Sequence, residues 1–564
     1  MSPLRPLANL LSASTAQVAP ATAGSAHTGS VSAGSAGRPV MSSGRFYLTL
    51  AAVALVIGIV SLLIPSTPSY DPWSWIIWGR EIVHLNLQTT GGPTWKPLPV
   101  IFTTLFAPFG QAEPDMWLVI ARAGAFAAVV MVFRLSFRLT RMIGSYFTRA
   151  EGELDRPTLI GPAVLAGVIA ALGLALSGGY ISDNALGYSE GLATAVILIS
   201  LERALDGHLR QAFALGFVAA LDRPEIWLVW GPFGLWLFWK DPGARKLVIG
   251  LFVLIPILWF LPEYWGSGHF LRGVSRAQKP RSNSLAFAHC PFCSELVDAA
   301  WPTILLRIKV VAAALIGVVG FIVWRRWRAP GRPELHSTQT RGMVAAAGMG
   351  VLGVVWFVVI AIMTQVGFSG NNRYLVIGSA LVEVCGAVGW GWGAQEIGNL
   401  LSRARAGRQT GSPAPPRRTR LGAWAGVGLA TLLFCFSPNW VGTNFISIQK
   451  THKALVYQAH LRQDAGRIIA RYGGAAKLLR CGTIMTEGFQ VPLVAWTLGV
   501  HTLRVEGPPA AGAPPGPAPN AVLQTAAHTN GTLLPILHQW STTTPYKYVG
   551  TERTFRLFTH CTGS

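Results

Sequence analysis

The sequence predicts an all-α polytopic membrane protein with about 11 transmembrane helices, outer juxtamembrane helices and a small extracytoplasmic α/β domain at the C-terminus. Three observations carry this. Mean hydropathy is +0.42, and only 12% of the 564 residues are charged, where soluble chains carry about 25%. Apolar runs of roughly 18 residues recur along the chain, long enough to cross the ~30 Å hydrocarbon layer as helices. Basic residues crowd into short loops between alternate runs, the mark of cytoplasmic loops. Helices rather than open strands follow because backbone polar groups in lipid need partners within their own segment.

Residues 1–44 are Ala-, Ser-, Gly-, Thr- and Pro-rich, and read as a disordered cytoplasmic N-terminus. A membrane domain over 45–437 follows. Its first apolar run, about 46–65, is read as a retained helix that runs outward and delivers outer loop 1, residues 66–115. Within that loop, "KPLPVIFTTLFAPFG" is too short and too proline-rich to span, and reads as an interfacial helix. A second span over about 116–139 returns inward. Spans at about 159–177 and 190–206 flank an outer turn, "SGGYISDNALGYSE". Those at about 211–221 and 225–239 turn at "LDRPE". A span at about 246–262 precedes a long outer loop, 263–300. The last four are placed at about 301–324, 343–364, 375–396 and 421–437.

The net charge of +22 has the wrong distribution for a nucleic-acid face. Arg134, Arg138, Arg141 and Arg149 share one loop, Lys240, Arg245 and Lys246 another, Arg325, Arg326 and Arg328 a third. The longest run is Arg403, Arg405, Arg408, Arg417, Arg418 and Arg420. With all four inside, an odd number of spans puts residues 438–564 outside. There "HLRQDAGRIIARYGG" reads as a helix and "KLLRCGTIM" and "VPLVAWTLGV" as strands, interrupted by the loop "PPAAGAPPGPAPN".

Of six cysteines, Cys385 and Cys435 fall in predicted spans and read as buried thiols. The other four are external, where disulfides persist. Cys481 pairs with Cys561 across the tail. Cys290 pairs with Cys293 in "HCPFC", either as a structural bridge or as a redox-active or metal-binding pair with His289.

The outer loops concentrate ionisable residues, which are costly near hydrocarbon and therefore mark a site. Asp71 and Glu81 lie in the first loop, Asp183 and Glu190 in the second, and Asp222, Arg223 and Glu225 in the third. Glu263 opens the fourth, Arg307 and Lys309 start the next span, and Arg373 follows "GFSGNN". A carboxylate can take a proton from an acceptor hydroxyl, while Arg and Lys hold a phosphate leaving group. Trp73, Trp75 and Trp78 in "WSWIIWG" either anchor the loop at the interface or stack on a sugar or prenyl chain.

"YDPWSWIIWGREI", "WKPLPVIFTTLFAPFG" and "RAGAFAAVVMVFRLSFRL", in that order, resemble the start of the GT-C membrane glycosyltransferases. The likeness is to the protein O-mannosyltransferase and lipid A aminoarabinose transferase branch and the related actinobacterial arabinofuranosyltransferases. The matching positions are Asp71, Lys96-Pro97-Leu98, Phe109-Gly110 and Arg122. Further on, "GYSEGLATAVILISLERAL" is similar to the family helix that opens on an outer acid, here Glu190. "ALGFVAALDRPEIWLVWGP" resembles the family's Arg/Lys-Pro hairpin through Arg223, and "NNRYLVIGSALVEVCGAVG" its late Arg-Tyr helix through Arg373 and Tyr374. Two departures are visible. Pro72-Trp73-Ser74-Trp75 stands where a second acid or polar residue commonly follows the loop-1 Asp, and the late helix lacks the family's proline.

The resemblance implies an inverting transferase that moves a sugar from a polyprenyl-phosphate donor to an envelope glycan, lipid or protein acceptor. Asp71 would be the general base and Glu190 a second acid. Lys96, Arg223 and Arg373, with Arg307 and Lys309 facing the bilayer, would contact the donor phosphate. Tyr374, Trp73, Trp75, Glu81 and Asp183 would line the substrate site. No residue set reads as a metal site, and no Asp-x-Asp occurs, which weakens a metal-bound nucleotide-sugar mechanism; participation of a divalent cation is left open. A Gly-, Ala- and Arg-rich composition points to a bacterial plasma membrane, with the site facing the periplasm or wall. The alternatives are a transporter or flippase of a lipid-linked or anionic substrate, which would carry internal repeats and midplane charges, and a non-catalytic envelope-assembly protein, in which Asp71 is replaceable.

Overall fold

In a computed structural model the chain is described over residues 43–144, 159–280, 284–328, 338–406, 416–436, 448–509, 514–540 and 543–561. The predicted N-terminal segment, Arg149, Arg408, the side chains of Arg326, Arg405, Arg417, Arg418 and Arg420, the 437/438 boundary and part of the Pro-rich loop lie outside the described residues.

Each of the eleven apolar segments expected to span is helical among the described residues: α1 (Ser43–Val60), α4 (Glu113–Ile143), α5 (Ile160–Ala175), α7 (Glu190–Leu205), α8 (Leu209–Ala220), α9 (Trp227–Lys240), α10 (Arg245–Ser267), α12 (Leu306–Arg328), α13 (Thr338–Gln365), α14 (Val376–Ala406) and α15 (Pro416–Cys435). Between them lie the loop-1 helices α2 (Tyr70–Val83) and α3 (Pro97–Phe106), and the short α6 (Tyr180–Ala185) and α11 (Arg272–Ala277). Six of the described helices are long and apolar enough to cross a bilayer, and the chain is a multi-pass membrane protein. α8, with 12 residues, rises only ~18 Å and cannot cross ~30 Å of hydrocarbon alone. The α8–α9 hairpin is therefore shorter than two full spans.

α14 is the axis of the bundle. Of the residues in its most apolar stretch 89% are buried inside the protein, against 17% in α1, where Leu48, Val53, Leu55, Val56 and Val60 are exposed. Small residues let helices approach closely, which is how helices associate in lipid without a hydrophobic driving force between them. A Cβ on Gly124 of α4 would lie 2.6 Å from the α carbon of Leu192 in α7. One on Gly391 of α14 would lie 2.7 Å from the Pro162 carbonyl of α5.

The expected interfacial helix is α3. Pro97 fits its first turn, where an amide donor has no helical partner to lose. The chain then turns at Gly110, whose φ of 55° is open to glycine at no steric cost, and enters α4.

The C-terminal residues form α16 (Ile448–Tyr472), α17 (Ala475–Cys481), α18 (Val491–Leu498) and a five-stranded sheet. Its strands are β1 (Ile484–Thr486), β2 (Val505–Glu506), β3 (Ala521–Gln524), β4 (Lys547–Thr551) and β5 (Arg556–Thr559), in the order β2-β1-β3-β5-β4. β1 is parallel to β2 and β3, and β5 is antiparallel to β3 and β4. The stretch "VPLVAWTLGV", expected as a strand, is α18, because it joins two parallel strands and needs a crossover.

Leu461, Ala465, Ile468 and Ile469 form one stripe of α16 and share a core with Trp73, Ile76 and Ile77 of α2. The C-terminal fold is thus closed by outer loop 1 rather than on itself. Both disulfides are formed: Cys481 with Cys561, and Cys290 with Cys293. Cys385 is buried, as expected of a packed thiol, but Cys435 at the end of α15 is exposed.

Trp73 is 1% exposed, with its ring 5.9 Å from that of Trp496 on α18 and the Arg462 guanidinium 5.6 Å away. Trp73→Ala should cost about 3–5 kcal/mol of local packing. Limited proteolysis should then release the C-terminal fold faster, while the helices before residue 437 stay protected.

Candidate active site

Six ionisable side chains meet at one end of the bundle, from five separate stretches of the chain. The segment before α2 is tied to the turn after α6. Ser69 N–H donates to the Leu186 carbonyl at 2.9 Å, and the hydroxyls of Ser69 and Tyr188 are 2.8 Å apart. Arg122 on α4 donates to the carbonyls of Ser61 and Ala185, both at 2.9 Å. Trp117 donates to the Gly187 carbonyl at 2.8 Å. Gly187 has φ 83°, and a Cβ there would stand 3.2 Å from that indole nitrogen. These ties set Asp71 in the first turn of α2, where the positive end of the helix favours a carboxylate.

Asp71 Oδ2 accepts from Arg373 Nη2 at 2.6 Å. Glu190, the first residue of α7, is 3% exposed. Its Oε1 lies 3.2 Å from Lys96 Nζ, 3.9 Å from Arg223 Nη1 and 4.0 Å from Arg373 Nε. One carboxylate oxygen thus faces three cations. Lys96 also donates to the Ser189 hydroxyl at 3.2 Å and lies 3.8 Å from Asp222 Oδ1. Lys96 and Asp222 are brought together by the backbone, because Leu98 N–H donates to the Leu221 carbonyl at 3.1 Å.

Aromatic rings cover the cations. The Arg223 guanidinium sits 3.9 Å from the Tyr374 ring, and that of Arg373 4.0 Å from the Tyr188 ring and 5.2 Å from Tyr374. Lys96 lies over Trp75 at 5.2 Å. Glu190 Oε2, Arg223 Nη2 and Arg373 Nη1 are buried with no hydrogen-bond partner among the described residues. Burial raises the carboxyl of Asp183, in the loop helix α6, to about 7; Arg373 opposes this and Glu190 adds to it. Burial likewise raises Asp222, with Lys96 opposing. It also holds the Tyr188 hydroxyl above the usual phenol range.

A cavity of about 670 Å³ is lined in part by Ser182 and Asn372, the chain neighbours of Asp183 and Arg373. Its walls are apolar residues of α5 and α15, including Leu165, Leu172 and Phe434. Ser182, Asn372 and Lys450 are among the polar residues of its lining.

Asp71, Lys96, Glu190, Arg223, Arg373 and Tyr374 are therefore brought together, with Asp183 at the edge. Four expected site residues point elsewhere, and Trp75 is covered. Arg307 donates to the carbonyls of Phe434 and Phe436, capping the end of α15. Lys309 donates to the Trp301 carbonyl at 2.6 Å and stacks on the Trp301 ring. Both cations are spent on neighbouring backbone. Glu81 accepts from Gln88 N–H at 2.8 Å and pairs with His501 at 2.7 Å, while Trp73 packs on Trp496; both belong to the seam with the C-terminal fold. Trp75 is fully buried, with an edge contact to Trp117, and offers its face to Lys96 rather than to a sugar.

Asp222, Tyr188 and Ser189 were not assigned roles from sequence. Asp222 stands in the quoted "LDRPE" beside Arg223, and "YS" directly precedes Glu190, so proximity to assigned residues was the available signal. Among the described residues, no group of three or more His, Cys, Asp or Glu side chains converges as a metal site. Lys96 occupies the space between Glu190 and Asp222.

No family model and no curated protein matches the chain. Among solved structures, it is similar to the crystal structure of ArnT from Cupriavidus metallidurans in the apo state, at 13% identity and a TM-score of 0.48, over 92% of this chain and 98% of that one.

Two outcomes test the electrostatics. Lys96→Ala leaves Glu190 and Asp222 facing each other without their shared cation, and should cost about 3–5 kcal/mol, read as a fall in Tm in detergent. Asp183 binds its proton more tightly folded (about 7) than at its ordinary carboxyl value (3.8), so its contribution favours the folded state at acid pH and declines as pH rises through that interval. Asp183→Asn should flatten the Tm–pH profile between those values.

Proposed function

We propose that the chain is an integral-membrane glycosyltransferase that moves a sugar from a polyprenyl-phosphate donor to an extracytoplasmic envelope acceptor. The observation that carries this reading is a buried cationic cluster whose Arg373 is the chain neighbour of Asn372, in the lining of a largely apolar cavity. A lipid-linked phosphate needs both: donors for its oxygens and a dry slot for its chain. Arg223 Nη2 and Arg373 Nη1 are buried without hydrogen-bond partners among the described residues, their guanidiniums 3.9 and 5.2 Å from the Tyr374 ring, and would take phosphate oxygens. The cavity that begins at Asn372 supplies apolar walls for the prenyl tail.

Asp71 is the general base in this mechanism. In the described state its carboxylate is paired with Arg373. A donor phosphate competes for that guanidinium and frees the carboxylate oxygen. The acceptor hydroxyl then attacks the anomeric carbon as Asp71 takes its proton, and the bond from that carbon to the phosphate oxygen breaks with its electrons leaving on phosphate. The anomeric centre inverts, and polyprenyl phosphate departs bound to Arg223 and Arg373. Glu190 keeps Lys96, Arg223 and Arg373 converged and touches no reacting atom. It is a positioning residue. Transfer would take place on the periplasmic or wall side, where the basic-loop pattern puts outer loop 1.

Asp71→Asn, expressed at the wild-type level, should lower transfer from a polyprenyl-phosphate sugar by about 100-fold or more in isolated membranes. Transfer at the wild-type rate would remove Asp71 from the mechanism. Arg373→Lys keeps the charge but loses the planar fork, and should raise the donor KM more than it lowers kcat. Mass spectrometry of the lipids that co-purify with the wild-type protein should identify a polyprenyl phosphate.

A further inference from the structure

The turn that delivers Arg373 leans on a buried carboxylate outside the ionic cluster. Glu295 opens a π-helical turn, Glu295–Ala300, just after the Cys290–Cys293 disulfide. Wide turns of this kind gather at functional places in helices. The Glu295 side chain is fully buried. Its Oε2 accepts from the Thr364 hydroxyl at 3.3 Å, while Oε1 has no hydrogen-bond partner among the described residues. A buried carboxyl with an idle oxygen is costly, so its place is held by packing.

It packs against Gly370. A Cβ there would lie 2.0 Å from Glu295 Oε2 and 3.0 Å from Thr364 Cγ2, so only glycine lets the chain come this near. From Gly370 to Tyr374 the chain makes one short turn. Tyr374 N–H donates to the Asn371 carbonyl at 2.9 Å, and Trp356 Nε1 donates to the Tyr374 carbonyl at 2.8 Å. A shift of Gly370 therefore reaches Arg373, whose Nη2 meets Asp71 at 2.6 Å. The residues after Glu295 also shape the cavity: Ala299, Pro302 and Thr303 belong to its lining, as does Asn372. Both ends of that stretch are tied down. Phe292 N–H donates to Gln365 Oε1 at 3.1 Å, and the hydroxyls of Thr303 and Ser379 are 3.1 Å apart.

We propose that Glu295 is a positioning residue: through Gly370 it sets where the Arg373 guanidinium stands relative to the cavity, and so where a polyprenyl phosphate is gripped. This rests on the donor-phosphate reading above. Glu295 touches no reacting atom. A charge-assisted hydrogen bond to phosphate depends on donor placement, and a displacement of about 1 Å is enough to spoil it. A residue that merely stabilised the loop would change Tm without distinguishing a lipid that carries phosphate from one that lacks it.

The probes are polyprenyl phosphate and polyprenol, titrated into the detergent-purified full chain and read by native mass spectrometry. Gly370→Ala should raise the Kd for polyprenyl phosphate about tenfold and leave that for polyprenol at its wild-type value. In transfer assays its donor KM should rise while the acceptor KM is kept. Glu295→Ala should also weaken phosphate binding. The double variant should bind no more weakly than the weaker single variant, because both substitutions act through one contact. Glu295→Gln, which keeps the shape and the Thr364 bond, should restore wild-type Kd and Tm. Amide hydrogen exchange over residues 367–375 should quicken about tenfold in Glu295→Ala, with α4 unchanged. Equal losses for the two probes, losses that multiply in the double variant, or unchanged exchange overturn the assignment. Wild type that takes no polyprenyl phosphate overturns the donor reading instead, and the exchange result still judges the coupling of Glu295 to this turn.

Discussion

A single buried carboxylate, Glu190, holds one end of the helix bundle together. Lys96 from the approach to α3, Arg223 from the α8–α9 turn and Arg373 from the approach to α14 all converge on its Oε1 within 4.0 Å. Cations so close repel one another, and would be costly to bury without a shared anion. Asp71 and Asp222 complete the balance, facing Arg373 and Lys96. With Glu225 lying 3.7 Å from Arg223, four carboxylates face the three cations. A group with those charges can accept a phosphate by exchanging partners, since one arginine nitrogen can move from a carboxylate to a phosphate oxygen.

The aromatic residues serve that cluster in different ways. Tyr188 and Tyr374 lie against the guanidiniums, where ring faces offset some of the lost hydration. Trp75 does the same for Lys96. Trp73 and Trp78 instead build the floor on which the C-terminal fold rests, with Leu461, Ile468 and Leu493. Asp71 and the C-terminal fold are thereby fixed to one short helix, α2. Movement of that fold would be felt at Asp71 through Tyr70 and Phe489.

Much of the architecture is legible in the sequence. Each expected span is helical, "KPLPVIFTTLF" forms the separate helix α3, and both disulfides join the expected partners. These features have local causes: apolar length, proline at a helix start and cysteine compartment. The misplacements share another cause. Arg307, Lys309 and Glu81 have the right chemistry for a site and stand in the right loops, but each satisfies a nearer partner: the α15 carbonyls, the Trp301 carbonyl, and His501 with Gln88 N–H. A side chain's partner depends on packing distances of a few ångströms, which residue type and loop do not specify. Likewise, "VPLVAWTLGV" has an apolar run that fits a strand or a buried helix, and the parallel pairing of β1 and β2 decides for the helix.

By itself, the sequence determined that this chain lies in a membrane, which loops share a side, and that Asp71, Lys96, Glu190, Arg223 and Arg373 belong to that side. Hydropathy and charge act over single segments, so one segment suffices to read them. Only the tertiary structure decided that three of these, the cations, meet at one carboxylate oxygen of Glu190 while Asp71 pairs with Arg373, that Asp222, Ser189 and Tyr188 join them, and that α2 is shared with the C-terminal fold. Those facts depend on five distant stretches reaching the same few ångströms, and helix packing through small residues such as Gly124 and Gly391 sets that geometry.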